Sequence, residues 1–522
     1  MHRDDQNKIQ LFQNEWVIGL LLLTMVVLVR LPSIYQPLDN DGGANAYLAR
    51  MILQGNPLYG MYHPAHHLPG VYYSYAAIFR LLGDNSAALK IFLLGWVWLN
   101  AWILYLTGKR VGGRLAGVLA AAFFTLVSSM TNLQGDSAQL EIFGNLPLTL
   151  VIWLGVIYLE KRSRPAAFIL IGMAGAIGFI YKANFLASLV AVGAVLLLNA
   201  LMEGNREAWV EMFQRGLAVL AGIGIVLLPI TCYFIMEGLW ARLLLVFQLG
   251  TLYVGLQEAQ PAIYILLYPA VRLLVVNAAL LIMGVVSTIR LLTSLPKTLS
   301  EDRTKGLIRI LLVTWLLASI VEAGFSRLSY PHYTLLVIPP LSLLAALEIS
   351  ILQGQLSQAK SKSQWSRAWF PALLVVTIIL NSGYTSRKYI LGYFLYSSGQ
   401  ITYTEFIRDD TILGKARVES VEIAQYINSH TSMDQTIFVW SDQAEIYYLA
   451  NRRSSSDVIW PVYVPIMGDP ERVFKTRPAY IVLGSASFDV DPDPAWLAKE
   501  LEKNYFLETT ISDNTLYKRI NP

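Results

Sequence analysis

The sequence predicts a polytopic α-helical membrane protein of about eleven transmembrane helices, followed by a soluble α/β domain at the C-terminus. Of the 522 residues, 55% are apolar and only 15% are charged, whereas a soluble globular protein is about 25% charged. Apolar segments near the length that crosses a bilayer recur until Tyr384. Beyond this point charged residues return, and segments typical of strands alternate with segments typical of helices.

The predicted spans are runs of mostly apolar residues with few charges. They are Trp16–Leu31, Ala88–Leu106, Leu115–Met130, Ile142–Leu159, Ala166–Tyr181, Phe185–Leu201, Leu217–Met236, Ile263–Ile289, Leu307–Val321, Tyr333–Ile351 and Trp369–Tyr384. No small-residue cleavage site follows the first span, so we expect it to be retained. The single cysteine, Cys232, excludes a disulfide framework and a cysteine-based metal site.

Lysine and arginine are concentrated in alternate connections between the spans, which by the positive-inside rule marks the cytoplasmic side. We therefore expect a multi-pass protein of the plasma (inner) membrane with a cytoplasmic N-terminus. An odd number of spans places the C-terminal domain outside. The predicted units are a transmembrane module, residues 1–386, and an extracytoplasmic α/β domain, residues 387–522. The domain contains the strand-like segments Thr436–Trp440 and Ala479–Gly484 and the helical segments Val418–Ser429 and Trp496–Asn504.

The first outer loop, residues 32–87, has apolar residues at helical spacing in Ala44–Gln54 and Val71–Leu82. Short amphipathic helices with tyrosines suit the membrane interface, where we expect Tyr72 and Tyr73 to lie. Three histidines separate the two segments. They fit metal ligands or interfacial polar contacts, and without a cysteine we favour polar contacts: they are His63, His66 and His67.

Asp39 and Asp41 lie just before the first of these helical segments. Either fits an N-cap, because an aspartate before a helix accepts backbone N–H bonds. The alternative is that one carboxylate acts as a general base, and burial close to hydrocarbon would raise its pKa. The residues alone leave both interpretations open.

Other outer loops add further charged side chains. Asp136 and Glu141 lie between two apolar segments; acids at membrane depth usually face a polar cavity, and a solvated loop is the alternative. Cationic side chains at the outer ends suit a phosphate. They are Lys182, Arg327, His332 and Arg272. Because no Walker loop, Rossmann glycine fingerprint or serine nucleophile elbow is visible, we expect a lipid-linked substrate rather than a nucleotide, and no nucleic acid partner.

The order of these segments resembles the GT-C superfamily of integral membrane glycosyltransferases, especially bacterial relatives of dolichyl-phosphate-mannose protein mannosyltransferases and the aminoarabinose transferases of lipid A. The similar segments are Asp41-Gly42-Gly43, Gly55-Asn56-Pro57-Leu58-Tyr59, Leu68-Pro69-Gly70-Val71-Tyr72-Tyr73, Gln134–Pro147, Gly178–Lys182 and Arg327–Pro340. One departure is Gly42, where many relatives carry a glutamate after the aspartate.

The resemblance implies an inverting transfer of a sugar from a polyprenyl-phosphate donor to a hydroxyl of a lipid, glycan or protein acceptor on the outer face. It implies that Asp41 is the base, with Asp39 as the fallback. Asp136 or Glu141 would orient the acceptor or bind a divalent cation such as Mg²⁺ or Mn²⁺. The donor phosphate would be bound by Lys182, Arg327 and His332, with Arg272 as a further candidate.

Two other functions fit charges at membrane ends. A transporter or flippase for polyprenyl-linked lipids or sugars should show symmetric halves or broken helices, and neither is visible in the sequence. A transferase resembling O-antigen ligases should have a large outer loop late in the membrane part, whereas the large loop here follows the first span. A membrane scaffold gives no reason for acids and bases to collect at the outer ends.

Overall fold

A computed structural model describes residues 14–61, 67–161, 163–256, 261, 263–328, 330–358, 364–408, 413–464, 473–474, 476–484 and 494–520. The membrane part is helical. Its helices are α1 (Glu15–Arg30), α2 (Asn40–Leu53), α3 (Pro69–Leu82), α4 (Ser86–Val127), α5 (Leu140–Lys161), α6 (Phe168–Phe179), α7 (Ala187–Glu203), α8 (Arg206–Met236), α9 (Trp240–Leu256), α10 (Tyr264–Thr293), α11 (Leu295–Glu301), α12 (Arg303–Gly324), α13 (Ile338–Gln358) and α14 (Gln364–Ser397).

Six helices in the described part of the chain are long and apolar enough to cross a membrane. They are Glu15–Tyr35, Ser86–Val127, Leu140–Lys161, Arg206–Met236, Tyr264–Thr293 and Arg303–Gly324. Much of the apolar surface of α8 is exposed, including Leu220 and Leu228, as expected of a helix that faces hydrocarbon. The prediction of a polytopic helical membrane protein is confirmed, and the count of eleven spans stays a prediction.

Two long helices are interrupted. Helix α4 has non-helical backbone angles at Gly113 (φ 83°), inside the connection predicted between the spans Ala88–Leu106 and Leu115–Met130, so its two parts correspond to these two spans. Helix α10 is broken at Asn277, and the Asn277 side chain accepts from the amide of Leu280 and donates to the carbonyl of Ile378 in α14. No broken helix is visible in the sequence, and the structure has one at Asn277. Helix α9 was not predicted.

The C-terminal domain is built around a five-stranded mixed sheet, as the segments typical of strands predicted. Strand order is β2-β1-β3-β5-β4, with β1 parallel to β2 and β3, and β5 antiparallel to β3 and β4. The strands are β1 (Thr436–Trp440), β2 (Arg453–Ser454), β3 (Tyr480–Leu483), β4 (Tyr505–Ile511) and β5 (Asn514–Arg519), and the helices are α15 (Tyr403–Arg408), α16 (Gly414–His430), α17 (Glu445–Leu449) and α18 (Ala495–Asn504). The predicted domain boundary at residue 387 falls inside α14.

Helix α2 lies between the membrane helices and the C-terminal domain, so nearly all of it is buried. At its last turn, Arg50 forms an ion pair with Asp84 and donates to the carbonyl oxygen of Tyr448 at 3.0 Å. Near its first turn, Gly43 contacts Glu445 so closely that a β-carbon at Gly43 would lie 2.2 Å from the Glu445 β-carbon. The segment from residue 32 to residue 87 therefore supports the soluble domain through α2.

Candidate functional site

The first turn of α2 gives its two aspartates different surroundings. Asp39 is the N-cap: its Oδ1 accepts from the backbone N–H of Gly42 at 2.9 Å, and its Oδ2 accepts from Nε2 of Gln139 at 2.8 Å. Asp41 is two residues further, in the first turn of the helix, and is partly buried. Among the described residues, no side chain or backbone group hydrogen-bonds to the Asp41 carboxylate. Asp39 therefore has the structural role of a cap, while Asp41 remains available to a substrate.

The surroundings of Asp41 raise the pKa of its carboxyl group, so that the group changes from protonated to ionised near neutral pH. Burial raises the pKa of Asp41 to about 7, and the negative charges of Asp39, Glu141 and Asp442 act in the same direction. Lys182 opposes them. A carboxyl group with a pKa near the working pH suits general base catalysis.

Lys182 and Glu141 form an ion pair beside Asp41. Glu141 is buried in the first turn of α5, and its Oε1 lies 3.1 Å from Nζ of Lys182. The ammonium also lies 3.8 Å from the centre of the Tyr333 ring, within cation–π range. Burial alone would lower the pKa of Lys182, but Glu141 outweighs it and the pKa is raised. Lys182 is therefore a fixed positive charge at any physiological pH.

His332 lies in a 3₁₀ helix, Pro331–Leu336, that leads into α13. Its Nδ1 forms a short hydrogen bond with Oε1 of Gln134, which places the proton on Nδ1 and leaves Nε2 unprotonated when the ring is neutral. Burial lowers the pKa of His332, and the nearby Glu141 partly offsets this. The ring stacks on Tyr330, with centroids 5.7 Å apart.

Two predicted phosphate-binding arginines differ in the contacts that hold them. Arg327 has a positive φ of 55°, which a residue other than glycine rarely adopts, in the turn after α12. Within the described part of the chain its guanidinium has no hydrogen bond or ion pair, and it is only partly buried. Arg272 in α10 instead donates from Nη2 to the carbonyl oxygen of Asn132 at 2.8 Å.

Asp136 does not join the cluster around Asp41. Its Oδ2 lies 3.0 Å from Nη2 of Arg417 in α16, and the two side chains are 2% and 1% exposed. Arg417 also donates to Ser137 and to Gln36, and Lys90 donates to the backbone carbonyl of Asp136. The Asp136 carboxylate therefore links the second outer loop to the C-terminal domain and is not positioned to orient an acceptor.

Several other predicted residues are placed as follows. Tyr72 is buried, and its hydroxyl accepts from the amide of His67, so it faces protein instead of lipid headgroups. Tyr73 is partly exposed and forms an edge contact with Tyr233. His63 and His66 lie outside the described residues. In the part that is described, no group of three or more histidine, cysteine, aspartate or glutamate residues could hold a metal ion.

Three residues of this region were not predicted from the sequence. Gln139 donates the hydrogen bond that orients the Asp39 carboxylate. The one sequence feature that could have indicated Gln139 is its position two residues before Glu141. Gln134 fixes His332. Glu445 reaches the site from the C-terminal domain, about 400 residues away along the chain. It is 1% exposed, and its Oε1 accepts from the hydroxyl of Ser420. Its Oε2 has no hydrogen-bond partner among the residues that the structure describes. No local pattern could have placed Glu445 beside Gly43.

The site and the fold define a class of protein: a polytopic helical membrane protein that presents a carboxylate and a fixed cation where its membrane helices meet a soluble domain. The sequence matches the family model of dolichyl-phosphate-mannose-protein mannosyltransferases over residues 62–233, and the model of the C-terminal domain of the putative competence-induced protein Ccs4 over residues 417–519. No curated protein matches the sequence.

The fold is similar to that of ArnT from Cupriavidus metallidurans. In its apo state the two chains are 13% identical, with a TM-score of 0.60 over 96% of this chain and 97% of that one. For ArnT bound to undecaprenyl phosphate the TM-score is 0.61, again at 13% identity, over 97% and 98%. The apo oligosaccharyltransferase of Archaeoglobus fulgidus gives 0.54 at 14% identity, over 97% of this chain and 74% of that one. The predicted resemblance to GT-C proteins is confirmed.

Proposed function

We propose that this protein is an inverting glycosyltransferase that moves a sugar from a polyprenyl-phosphate donor to an acceptor hydroxyl. The observation that carries the proposal is the Asp41 carboxylate, which has no hydrogen-bond partner among the described residues and lies within electrostatic range of the fixed charge of Lys182. A base beside a cation suits a reaction in which a hydroxyl loses a proton while a phosphate takes up negative charge.

The reaction would proceed by a single displacement. Asp41 takes the proton of the acceptor hydroxyl, and the oxygen forms a bond to the anomeric carbon of the sugar from the face opposite the phosphate. The bond between that carbon and the phosphate oxygen breaks, and its electron pair leaves with the polyprenyl phosphate. The configuration at the anomeric carbon is therefore inverted, and the proton remains on Asp41 until solvent removes it.

The leaving phosphate would be bound by three side chains. Lys182 supplies a charge that does not titrate near neutrality, and the free guanidinium of Arg327 can form two hydrogen bonds to a phosphate. His332 can donate to a phosphate oxygen from Nε2 when its ring is protonated. ArnT has been solved with undecaprenyl phosphate, which supports a lipid phosphate here as well. The described residues offer no ligand set for the divalent cation considered above, so no step depends on one.

The proposal also places the site on the outer face of a plasma membrane, with the N-terminus in the cytoplasm. The alternating lysine and arginine content of the connections supports this orientation. A periplasmic reporter fused after Pro522 should be active, and activity of the reporter only in the cytoplasm would contradict the orientation. The acceptor class is best identified by mass spectrometry of cell-envelope glycans from cells with and without the protein.

Substitution at the site tests the transfer step. Asp41→Asn should abolish transfer of labelled sugar to the cell envelope while the purified variant still binds polyprenyl phosphate. Asp302→Asn is the matched control, because Asp302 is also an acid at a helix N-terminus but is remote from the cluster. Full transfer by Asp41→Asn would remove the base assignment. Unchanged donor affinity in both Lys182→Ala and Arg327→Ala would refute the phosphate role.

A further inference from the structure

A cavity with several polar lining residues lies apart from the Asp41 cluster, none of whose residues lines it. Its volume is about 350 Å³, within the range of pockets that hold small ligands. Three elements form its walls: the 3₁₀ turn Thr131–Leu133, α10 and α14. The lining residues are Asn132, Val275, Asn381, Tyr384, Thr385, Arg387 and Lys388.

The lining has the chemistry of an anion site. Among the described residues that line it are two cations, two amide side chains and two hydroxyls, and no carboxylate. Arg387 donates from Nη1 to the carbonyl oxygen of Tyr384 at 2.7 Å and lies over the Tyr384 ring, so one of its five N–H donors is used. For Lys388, the described residues provide no hydrogen bond or ion pair. An anion in the cavity would accept hydrogen bonds from N–H groups of Arg387 and Lys388 that have no partner among the described residues.

The part of the cavity wall formed by Asn132 is held in place by Arg272 and has a buried oxygen available to a ligand. Arg272 donates to the Asn132 carbonyl oxygen at 2.8 Å, which holds this turn against α10. The Asn132 side-chain oxygen is buried and has no hydrogen-bond partner in the described part of the chain, although such a group costs about 1–3 kcal/mol when left unpaired. A hydroxyl on the ligand would satisfy it. The cavity thus presents donors for an anion and an acceptor for a neighbouring hydroxyl.

The position of the cavity indicates the source of the anion. The predicted span Trp369–Tyr384 ends where the cavity begins, so Arg387 and Lys388 lie just beyond the hydrocarbon, at the depth of the headgroups. Basic residues at this depth attract the phosphates of anionic lipids. The break of α10 at Asn277, which donates to Ile378, holds α10 and α14 together below the cavity.

We propose that this cavity binds the phosphate headgroup of an anionic membrane lipid, as a site separate from the Asp41 cluster. The lipid phosphate contacts Arg387 and Lys388, and a headgroup hydroxyl donates to Asn132. The site depends on the membrane position of α14 and not on the proposed transfer reaction. Phosphatidylglycerol has both a phosphate and free hydroxyls and is therefore the suitable probe.

Native mass spectrometry of the purified full chain in detergent measures this binding. Phosphatidylglycerol should be retained in preference to phosphatidylcholine, whose headgroup carries a compensating cation. The double variant Arg387→Gln with Lys388→Gln should lower the affinity for phosphatidylglycerol about tenfold. The matched control, Lys297→Gln with Lys305→Gln, removes the same charge at exposed positions paired with acids and should leave the affinity unchanged.

Several results would overturn the proposal. Equal losses in the two double variants would mean non-specific attraction, and equal retention of the two lipids would mean that the anion is not recognised. Displacement of phosphatidylglycerol by millimolar inorganic phosphate, without any preference for lipid, would assign the cavity to free phosphate. If the double variant does not fold, Asn381→Asp, which adds one negative charge to the lining, should lower retention instead. Asp41→Asn should retain the lipid fully, whatever its effect on transfer.

Discussion

The buried ion pair between Arg417 and Asp136 should determine how firmly the C-terminal domain is docked. Arg417→Met keeps most of the side-chain volume but leaves the Asp136 carboxylate buried without its partner. Removing one member of a buried pair typically costs about 3–5 kcal/mol. Because Lys90 also lies against Asp136, we expect a value near the lower limit, about 3 kcal/mol.

Hydrogen exchange of the backbone amides in α2 measures this cost directly. These amides are covered by the C-terminal domain, so they exchange when the domain undocks. In Arg417→Met their exchange should be faster by a factor on the order of 10². The double variant Arg417→Met with Asp136→Leu removes both charges and should recover most of the protection, because no unpaired charge remains.

Lys415→Met is the internal control. Lys415 lies on the same helix as Arg417 and pairs with Asp513, but both side chains are exposed. An exposed pair contributes about 0–1 kcal/mol, so exchange of α2 should change less than about fivefold. If Arg417→Met and Lys415→Met accelerate exchange equally, the buried pair does not hold the domain, and the reasoning from burial is wrong.

Three further predictions concern the contact beneath the soluble domain and the candidate base. Gly43→Ala places a β-carbon against Glu445 and should lower the free energy of unfolding by about 1–3 kcal/mol, whereas Gly95→Ala, at a position with open space, should not lower it. Melting temperatures measured by tryptophan fluorescence compare the two variants, and equal values would contradict the contact. Burial raises the pKa of Glu445 from 4.5 to about 8, so between these pH values the folded state keeps a proton that the unfolded chain releases. The free energy of unfolding should therefore fall as pH rises from about 4.5 to about 8, and Glu445→Gln should flatten this dependence in denaturant titrations. Because the pKa of Asp41 is about 7, transfer should increase with pH through 7, and a rate independent of pH between 6 and 8 would remove Asp41 as the base.

Membrane helices and the main charges of the site could be predicted because each depends on local composition. A run of apolar residues has few alternatives to a helix in hydrocarbon, so the predicted spans coincide with helices. Lys182 and Glu141 lie at ends of such segments, which brings them to one face of the membrane. The break at Asn277 escaped prediction because its side chain replaces the lost backbone hydrogen bonds without changing hydropathy.

The function of Asp136 could not be read locally, because its partner is remote. Asp136 and Glu141 are five residues apart and look alike in sequence, yet Glu141 faces Lys182 while Asp136 is neutralised by Arg417. The deciding residue is 281 positions away along the chain. Composition could therefore identify which acids are near the membrane surface but not which of them are already paired.

The long separation in sequence between α2 and the C-terminal domain that packs on it also affects the order in which the protein folds. Arg50 bonds to Tyr448, 398 residues further on, and contacts of such separation form late because the loop between them must close first. During synthesis, nearly the whole chain must therefore be made before the C-terminal domain can pack on α2, which carries Asp41 in its first turn. A polypeptide released before residue 448 has the carboxylate of the candidate base but not the packed environment that raises its pKa, and such a fragment is expected to be inactive.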